Sequence, residues 1–229
     1  MTPEHDIQGK LFGVPLVTGY SRGALAVREM EKSRADALIM QHHYSHSPVW
    51  ASHTHFGVFV NDSLCGVLQF GPGMNPASGD RVIPGMEWCE LNRMWLSDDR
   101  PVQQLATGAL ALACRILRSR RPKLGWLQTF ADERSGVGAV YQAASFLYVG
   151  SHETTFYLLD GEWFHKSLLG RAETDGRGWG SGPKAARIRG RESEAIPHVF
   201  RQHRYIKCFT KQARKGLLLP VLSYPKAAR

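Results

Sequence analysis

The residues from Glu87 to Ala131 read EWCELNRMWLSDDRPVQQLATGALALACRILRSRRPKLGWLQTFA, and this stretch decides the class of fold. The pattern predicts a strand over Glu87–Leu96, a helix after it, and a second strand over Leu124–Ala131 whose continuous apolar character is typical of burial. The acidic pair Asp98-Asp99, followed by Pro101, marks the start of the helix. A strand, a helix and a second strand in this order predict a sheet that helices cover.

The flanking sequence predicts further elements on both sides of this unit. The expected elements are, in chain order, a helix over Ala24–Gln41, strands over His55–Val60 and Leu64–Phe70, a helix over Gly138–Phe146, and strands over Leu147–Leu159 and Glu162–Leu168. Together they predict an α+β fold with a mixed central sheet of six or seven strands flanked by helices. This order is compatible with acyltransferase folds of the GNAT kind, although many α+β folds share it.

The chain has 229 residues and a formal net charge of +9, and the positive excess lies in its last quarter. Residues 1–170 contain 15 Lys and Arg against 16 Asp and Glu, whereas residues 171–229 contain 14 against 4. A Gly-, Arg- and Ser-rich linker from Gly170 to Gly182 separates the two parts. We therefore predict a main domain over 1–170 and a basic extension over 171–229 that packs on it and contacts nucleic acid. The alternative is a solvated basic tail.

Several features favour a cytoplasmic protein without a membrane partner. No apolar run approaches the roughly 18 residues that cross a bilayer. Residues Met1–Lys10 are too polar for a secretion signal. The four cysteines show no CxxC spacing, and they fit reduced thiols better than a disulfide framework.

Three histidines, a tyrosine and a serine stand together in the predicted loop His42-His43-Tyr44-Ser45-His46, and His53 and His55 follow closely. Imidazole titrates near neutral pH and is the commonest protein ligand of metal ions, so this density of histidine favours a functional role over packing. The pattern leaves open whether the histidines act as a base or bind a metal. A metal site also needs donors from elsewhere in the chain.

The predicted strand over Glu87–Leu96 carries the polar motif Glu90-Leu91-Asn92-Arg93. Strict alternation places Glu90 and Asn92 on one face of the sheet and Arg93 on the other, unless a bulge intervenes. Two interpretations of Arg93 remain open. In the first, Arg93 forms an ion pair that joins two elements of the fold. In the second, Arg93 holds an anionic or carbonyl oxygen of a substrate.

Three charged residues, Asp132-Glu133-Arg134, directly follow the predicted buried strand. Ligands of open α/β sheets bind at the carboxyl ends of strands, so Asp132 is a candidate general base or metal ligand. Capping of the next helix is the alternative, and the glycines between Asp132 and that helix disfavour it. Tyr141 lies in the first turn of the helix, near the same strand end, whereas Tyr148 is compatible with the core.

Six blocks of the sequence resemble the Mom proteins of transposable phages, in the same order along the chain. The blocks are His42–His46, Leu68–Pro72, Glu90–Arg93, Phe130–Arg134, Tyr141–Ala143 and Phe146–Ser151. The resemblance implies a GNAT-like fold and an enzyme that converts adenine in double-stranded DNA to a carbamoylmethyl derivative, which shields phage DNA from host restriction. It also implies that iron takes part.

Carried over by position, the resemblance also implies roles for individual residues. The implied catalytic residues are Tyr44, Arg93, Asp132 and Tyr141, the implied substrate-binding residues are Ser45, Glu90, Asn92 and Tyr148, and the implied metal ligands are His43 and His46. 

The chemistry of adenine limits how such a group is added. The exocyclic amine is a poor nucleophile, because its lone pair is delocalised into the ring. The base has to be flipped into a pocket, beside a proton acceptor and an aromatic ring on which it stacks. Tyr44 or Tyr141 suits the stacking role, and Asp132 suits the orienting or proton-accepting role.

The donor of the added group is a separate question. The predicted helix start, Arg100–Gly108, lacks the Q/R-x-x-G-x-G/A spacing with which CoA-dependent acyltransferases cradle pyrophosphate. Acetyl transfer alone gives an amide, whereas a carbamoylmethyl group is attached through its methylene carbon and contains an extra nitrogen. A redox metal or a glycine-containing donor meets this requirement, and we favour glycyl-tRNA over acetyl-CoA. The basic extension suits tRNA as well as DNA.

Two other functions remain compatible with the sequence. A CoA-dependent N-acetyltransferase acting on a protein or small molecule does not need the basic extension. A DNA-binding or capsid-associated module without chemistry leaves the histidines and tyrosine of residues 42–46 without a role. The sequence does not determine the oligomeric state, and a dimer is compatible with it.

Overall fold

The computed structural model describes residues 4–11, 14–73, 75–98, 102–170 and 182–226. The predicted linker over 170–182 and the predicted helix start at Asp99 and Pro101 lie largely outside these ranges. Within them, strands joined in one mixed sheet and helices on its faces form the α+β fold that the sequence predicts. None of the helices in the described ranges has both the length and the apolar character that spanning a membrane requires.

The described residues form ten strands and five α-helices, numbered in chain order. The strands are β1 Glu4–Leu11, β2 Val14–Arg22, β3 Leu25–Glu29, β4 Thr54–Val60, β5 Ser63–Gly71, β6 Glu87–Leu96, β7 Leu124–Asp132, β8 Leu147–Leu159, β9 Glu162–His165 and β10 Ile196–Cys208. The helices are α1 Lys32–His42, α2 Val102–Arg120, α3 Ala139–Ala143, α4 Pro183–Ile188 and α5 Lys211–Gly216. Short 3-10 turns cover Pro76–Arg81, Glu133–Ser135, Lys166–Leu169 and Glu192–Glu194.

The strands lie in the order β1-β2-β3-β4-β5-β6-β7-β10-β8-β9. Neighbours in the described sheet are antiparallel except β6 and β7, which run parallel and flank α2 in the chain. These two strands pair from Glu87 and Leu124 only as far as Glu90 and Gln128. Both continue beyond that point without pairing to each other, so the sheet opens at their carboxyl ends.

Helix α2 covers one face of the sheet with the apolar stripe that the sequence predicts. Leu110 and Ile116 of the helix pack in one buried cluster with Cys89 and Leu91 of β6 and with Leu127 of β7. Burial of each large aliphatic side chain contributes about 1.5–3 kcal/mol. The unit of β6, α2 and β7 therefore forms the centre of the main core.

Helix α1 lies on the opposite face of the sheet. Ala35 and Ile39 are fully buried against Val67 of β5, and Trp95 of β6 packs beside them. The loop that follows α1 continues across this face toward the carboxyl ends of β6 and β7.

The helix predicted over 24–41 is wrong in its first part. Leu25–Glu29 form strand β3, and only Lys32–His42 form helix α1. Val27 is fully buried and pairs with Val58 of β4. Because this pairing partner lies far along the chain, the local pattern of apolar residues does not reveal it.

The basic segment after residue 182 supplies an interior strand of the sheet. We expected this segment to pack on the main domain as an extension, whereas β10 lies between β7 and β8. Ile206 pairs with Gln128 on one side and with Leu147 on the other, and its side chain is fully buried. With β1, β2, β3 and β10, the described sheet is wider than the six or seven strands expected.

Replacement of Ile206 by alanine should lower the free energy of unfolding by about 2–5 kcal/mol, because the lost side chain leaves a cavity in the core. Val199→Ala is the matched control, since Val199 lies in the same strand but is 60% exposed. The control should change stability by no more than about 0.5 kcal/mol. Urea unfolding measures both values, and equal losses for the two variants would contradict an interior position of β10.

Candidate active site

A cavity of about 400 Å³ lies where β6 and β7 stop pairing. Its walls come from β6 to β10, from the loop after α1, from α4, and from the segment around residues 73–78. Of the residues for which the sequence predicts a role, those that line the cavity are Tyr44, Ser45, Glu90, Asn92, Arg93 and Asp132. Those outside the lining are His43, His46, Tyr141 and Tyr148.

A bulge in β6 brings the polar residues of this strand together. The pairing of β6 with β5 shifts register between Leu91 and Arg93, so that Asn92 is an extra residue in the strand. Glu90, Asn92 and Arg93 consequently all line the cavity, whereas strict alternation separates Arg93 from the other two. The sequence did not determine whether this strand contains a bulge, and the structure shows that it does.

Glu90 lies at the point where β6 and β7 separate, and two side-chain amides orient its carboxylate. Asn92 Nδ2 donates to Glu90 Oε1 at 3.2 Å, and Gln128 Nε2 donates to Oε2 at 3.0 Å. Burial raises the pKa of Glu90, although the two amides and the charges of Arg93 and Arg204 oppose the shift. The carboxylate is therefore held in place and has a higher proton affinity than an ordinary glutamate.

Arg93 ties the loop after α1 to β6. Its Nε donates to the Ser47 carbonyl at 2.8 Å, and its Nη1 donates to the Asn92 carbonyl at 2.7 Å. Burial lowers the pKa of Arg93, and the nearby Tyr44 and Glu90 oppose this shift. Of the two interpretations from sequence, no ion pair of Arg93 is present among the described residues, so the guanidinium remains available to a substrate oxygen.

Asp132 forms a buried ion pair with Arg134. Its carboxylate is 2% exposed, and Arg134 donates to Oδ1 from its Nε at 2.9 Å and from its backbone N–H at 3.0 Å. Burial alone disfavours the charged form, but hydrogen bonds from Arg134 and Gln202 outweigh it and lower the pKa of Asp132. Asp132 also caps the 3-10 turn Glu133–Ser135, whereas the N-cap of α3 is Gly138, so Asp132 does not cap the next helix, as the glycine spacing predicts.

Aromatic rings surround the guanidinium of Arg134. Its Cζ lies 3.7 Å from the ring centroid of Phe156, 4.8 Å from that of Phe200 and 5.4 Å from that of Trp163. Such cation–π contacts fix the orientation of the guanidinium. The sequence did not indicate a role for Arg134. The aromatic rings around it come from three different strands, and no local sequence pattern predicts that these strands are neighbours.

Basic side chains outnumber acidic ones in the cavity wall. The basic residues are Arg93, Arg134, Lys184 and Arg204, and the acidic residues are Glu90 and Asp132. Lys184 donates to the Ser45 carbonyl at 2.7 Å, and burial lowers its pKa. The excess of positive charge favours an anionic ligand. The basic composition after residue 182 was the only signal for Lys184 and Arg204, and it did not indicate that they face a cavity.

The histidines of the loop after α1 are held in separate positions. The Nδ1 of buried His43 accepts from the Ser45 backbone N–H at 3.1 Å and lies 2.8 Å from Ser45 Oγ. Burial, and secondarily the charge of Arg93, lower the pKa of His43 to about 3, so its ring is neutral. His46 is exposed, and its Nδ1 lies 2.9 Å from the Met40 carbonyl.

The described residues do not fit the iron centre that the family resemblance implies. Within the described ranges, no group of three or more His, Cys, Asp or Glu side chains is placed to hold a metal ion. His43 uses its Nδ1 within the loop, and His46 makes its contact with the carbonyl of Met40 in α1.

The three tyrosines with predicted roles lie on different sides of the sheet. Tyr44 stands at the mouth of the cavity, 56% exposed, with its ring centroid 4.3 Å from that of His43. Tyr141 and Tyr148 lie in the main core on the α2 side, where Tyr148 Oη is 3.2 Å from His203 Nδ1.

Strand alternation explains the position of Tyr141. Successive residues of β7 face opposite sides, so Gln128 and Asp132 face the cavity while Thr129 faces the core. Tyr141 hydrogen-bonds to Thr129, and burial raises the pKa of its phenol to about 12. The structure thus brings Tyr44, Arg93 and Asp132 together and places Tyr141 behind the sheet.

Replacement of Asp132 by asparagine should destabilise the protein by about 3–5 kcal/mol at pH 7, because it breaks a buried ion pair. The folded-state pKa of Asp132 is depressed, so this contribution is present above the unfolded-state pKa and is lost as the pH falls through the folded-state pKa. Urea unfolding from pH 7 downward should therefore show the two proteins converging in acid. Asp160→Asn, which removes a carboxylate from an exposed pair with Arg191, is the control and should leave stability nearly unchanged, because solvent screens the pair. A pH-independent difference for Asp132→Asn would contradict the assignment.

Comparison with known proteins identifies relatives along most of the chain. Residues 24–226 match the model of the Mom protein family. A protein of Escherichia phage Mu described as methylcarbamoylase mom is 40% identical over 217 residues, which cover 92% of this chain and 87% of that protein. 

Solved structures similar to this chain include acetyltransferases. One of the GNAT family from Streptococcus pneumoniae has a TM-score of 0.47 and 13% identity, covering 81% of this chain and 99% of that one. A probable GNAT-family acetyltransferase from Chromobacterium violaceum has a TM-score of 0.46 and 12% identity. The match covers 89% of this chain and 95% of that one.

The family match extends from β3 to beyond α5 and therefore includes every strand that lines the cavity. It confirms the resemblance that the six sequence blocks indicate. On the match over residues 24–226 and the 40% identity to the phage Mu protein, this chain belongs to the Mom protein family.

Proposed function

We propose that this protein transfers a carbamoylmethyl group to the exocyclic amine of adenine in double-stranded DNA, in the cytoplasm of the phage host, and so protects phage DNA from restriction. The phage Mu relative is named a methylcarbamoylase, which supports this class of transfer. The observation that carries the proposal is the cavity, because it combines aromatic walls, a partly buried carboxylate held by amides, and an excess of cations.

The aromatic walls suit an extruded purine. Phe130, Phe156 and Trp163 line the cavity together with Tyr44 at its mouth. A base that leaves the DNA stack regains stacking on such rings, which offsets part of the cost of extrusion. Of the two tyrosines considered for stacking, only Tyr44 is in a position to perform it.

We assign the proton-accepting role to Glu90 rather than to Asp132. The raised pKa of Glu90 and its two amide hydrogen bonds suit a carboxylate that takes a proton from the adenine amine. Asp132 has a lowered pKa and is committed to Arg134, so it is the weaker base. In this mechanism Asp132 orients Arg134, and Arg93 stabilises the oxygen of the acyl group as negative charge develops on it.

We propose glycyl-tRNA as the donor. A glycyl group and a carbamoylmethyl group contain the same heavy atoms, namely two carbons, one oxygen and one nitrogen. The adenine amine supplies the second nitrogen of the product. Attack of the adenine amine on the glycyl ester forms a C–N bond, releases the tRNA hydroxyl and leaves an N6-glycyl amide. That amide is an isomer of the carbamoylmethyl product.

A rearrangement converts one isomer into the other without an oxidant or a reductant. The free amine of the glycyl group attacks C6 of the purine, and the original C6–N bond then breaks. The original exocyclic nitrogen becomes the carboxamide nitrogen and takes up the proton that the attacking amine loses. The excess of positive charge around the cavity, from Arg93, Lys184 and Arg204, suits the phosphates of both nucleic acids.

Glu90→Gln should lower the rate of DNA modification by at least about 100-fold, because the amide cannot accept the proton. The measurement is mass spectrometry of nucleosides from plasmid DNA of expressing cells. Glu153→Gln is the matched control, since Glu153 lies on β8 with its side chain 68% exposed, and it should retain modification. Absence of any modified deoxyadenosine with the unaltered protein would contradict the proposed function, and full activity of Glu90→Gln would contradict the role of Glu90.

The donor is tested separately with purified protein, duplex DNA and tRNA charged with glycine that carries 13C at both carbons and 15N at its nitrogen. The modified nucleoside should be heavier by all three labelled atoms. The rearrangement further predicts that the glycine nitrogen ends on C6 of the purine, and fragmentation of the nucleoside locates it. Modification that requires acetyl-CoA and acquires no label would contradict a glycyl donor.

A further inference from the structure

Trp50 is an exposed tryptophan beside the cavity. Its side chain is 54% exposed, although tryptophan is usually buried in a soluble protein. An exposed aromatic ring on a rigid backbone is suited to contact a partner, because it offers a large apolar surface at a low cost in conformational entropy.

The turn that carries Trp50 is fixed at both ends. On one side, Val49 is 3% exposed and lines the cavity. On the other side, the Ser52 backbone N–H donates to the Val49 carbonyl at 3.0 Å, and Ser52 Oγ donates to Asn92 Oδ1 at 2.9 Å. The Asn92 that receives this bond is the extra residue of the β6 bulge.

Neighbouring backbone contacts further restrict the turn. The His53 N–H donates to the Phe70 carbonyl at 2.9 Å. A Cβ at Gly71 would lie 2.8 Å from the Ser52 Cα, which shows how closely β5 approaches the turn. Trp50 is therefore an apolar ring on a rigid turn, one residue from the wall of the cavity.

We propose that Trp50 enters the base stack of duplex DNA at the gap that the target adenine leaves when it moves into the cavity. This inference rests on the proposed function. Extrusion of a base removes its stacking on both neighbours, and apolar side chains inserted between base steps recover part of this loss. Trp50 is a positioning residue in this role, since it touches the DNA but not the reacting atoms.

The geometry favours DNA over other occupants of this surface. The cavity next to Trp50 carries four basic side chains against two acidic ones, which attracts a polyanion rather than an apolar partner. Tyr44, 56% exposed, stands at the same cavity mouth. A flat ring beside a pocket for a flipped base matches the shape of the gap in the stack.

The test compares Trp50→Ala with the unaltered protein on two duplexes that contain the same target adenine. In both duplexes the adenine is paired with thymine. Intact base pairs flank it in the paired duplex, whereas an abasic site lies on each side of it in the abasic duplex and removes the neighbouring bases on which an inserted ring would stack. Trp50→Ala should slow modification of the paired duplex by about 10- to 100-fold, the size of one base–aromatic stacking contact. On the abasic duplex the loss should be less than about 3-fold, since the gap has no neighbouring bases on which Trp50 can stack. Trp50→Phe should recover part of the rate on the paired duplex.

Met40→Ala is the matched control, because Met40 is 58% exposed on α1 and does not line the cavity. It should leave both rates unchanged. Equal losses of Trp50→Ala on both duplexes would indicate a structural role and overturn the inference, and no loss on either would also overturn it. Failure of the unaltered protein to modify both duplexes is a different outcome, which contradicts the proposed function itself.

Discussion

The extra residue in β6 at Asn92 is the constraint on which the site depends. Without it, the alternation of the strand would direct Arg93 away from Glu90 and Asn92. The bulge occurs just after β6 and β7 stop pairing, so it places polar side chains at the opened end of the sheet. Arg93 and Asn92 then bond to the loop after α1, which closes the cavity.

The two carboxylates of the cavity have different surroundings and therefore different chemical capacities. Asp132 receives hydrogen bonds from a neighbouring guanidinium, which keep it charged, whereas the hydrogen bonds to the partly buried Glu90 carboxylate come from neutral amides. Because these surroundings raise the pKa of Glu90 and lower the pKa of Asp132, Glu90 suits proton transfer and Asp132 suits a permanently charged partner for Arg134. Arg134, held by Asp132 and by aromatic rings from three strands, is the rigid cation that results.

The sequence predicted those parts of the fold that depend on local periodicity. The strand over Glu87–Leu96, helix α2 and strand β7 show strong patterns, and all three are present. Strand β3 was predicted as helix because its pairing partner is remote. Strand β10 was not predicted because polar residues such as Arg204 face the cavity, and their alternation with buried residues resembles a basic tail. The family resemblance implied a shared site for Tyr44, Arg93 and Asp132. Arg134, Lys184 and Trp163 were not considered, because their roles depend on contacts between distant strands.

We propose that the cavity over β6 and β7 receives an extruded adenine with its amine at Glu90. A crystal structure of the protein bound to a duplex that contains its target adenine tests this placement. The adenine should lie outside the helix, stacked within the cavity, with its exocyclic nitrogen at hydrogen-bond distance from the Glu90 carboxylate. An adenine that remains stacked in the duplex, or one that enters a different part of the protein, would contradict the proposal.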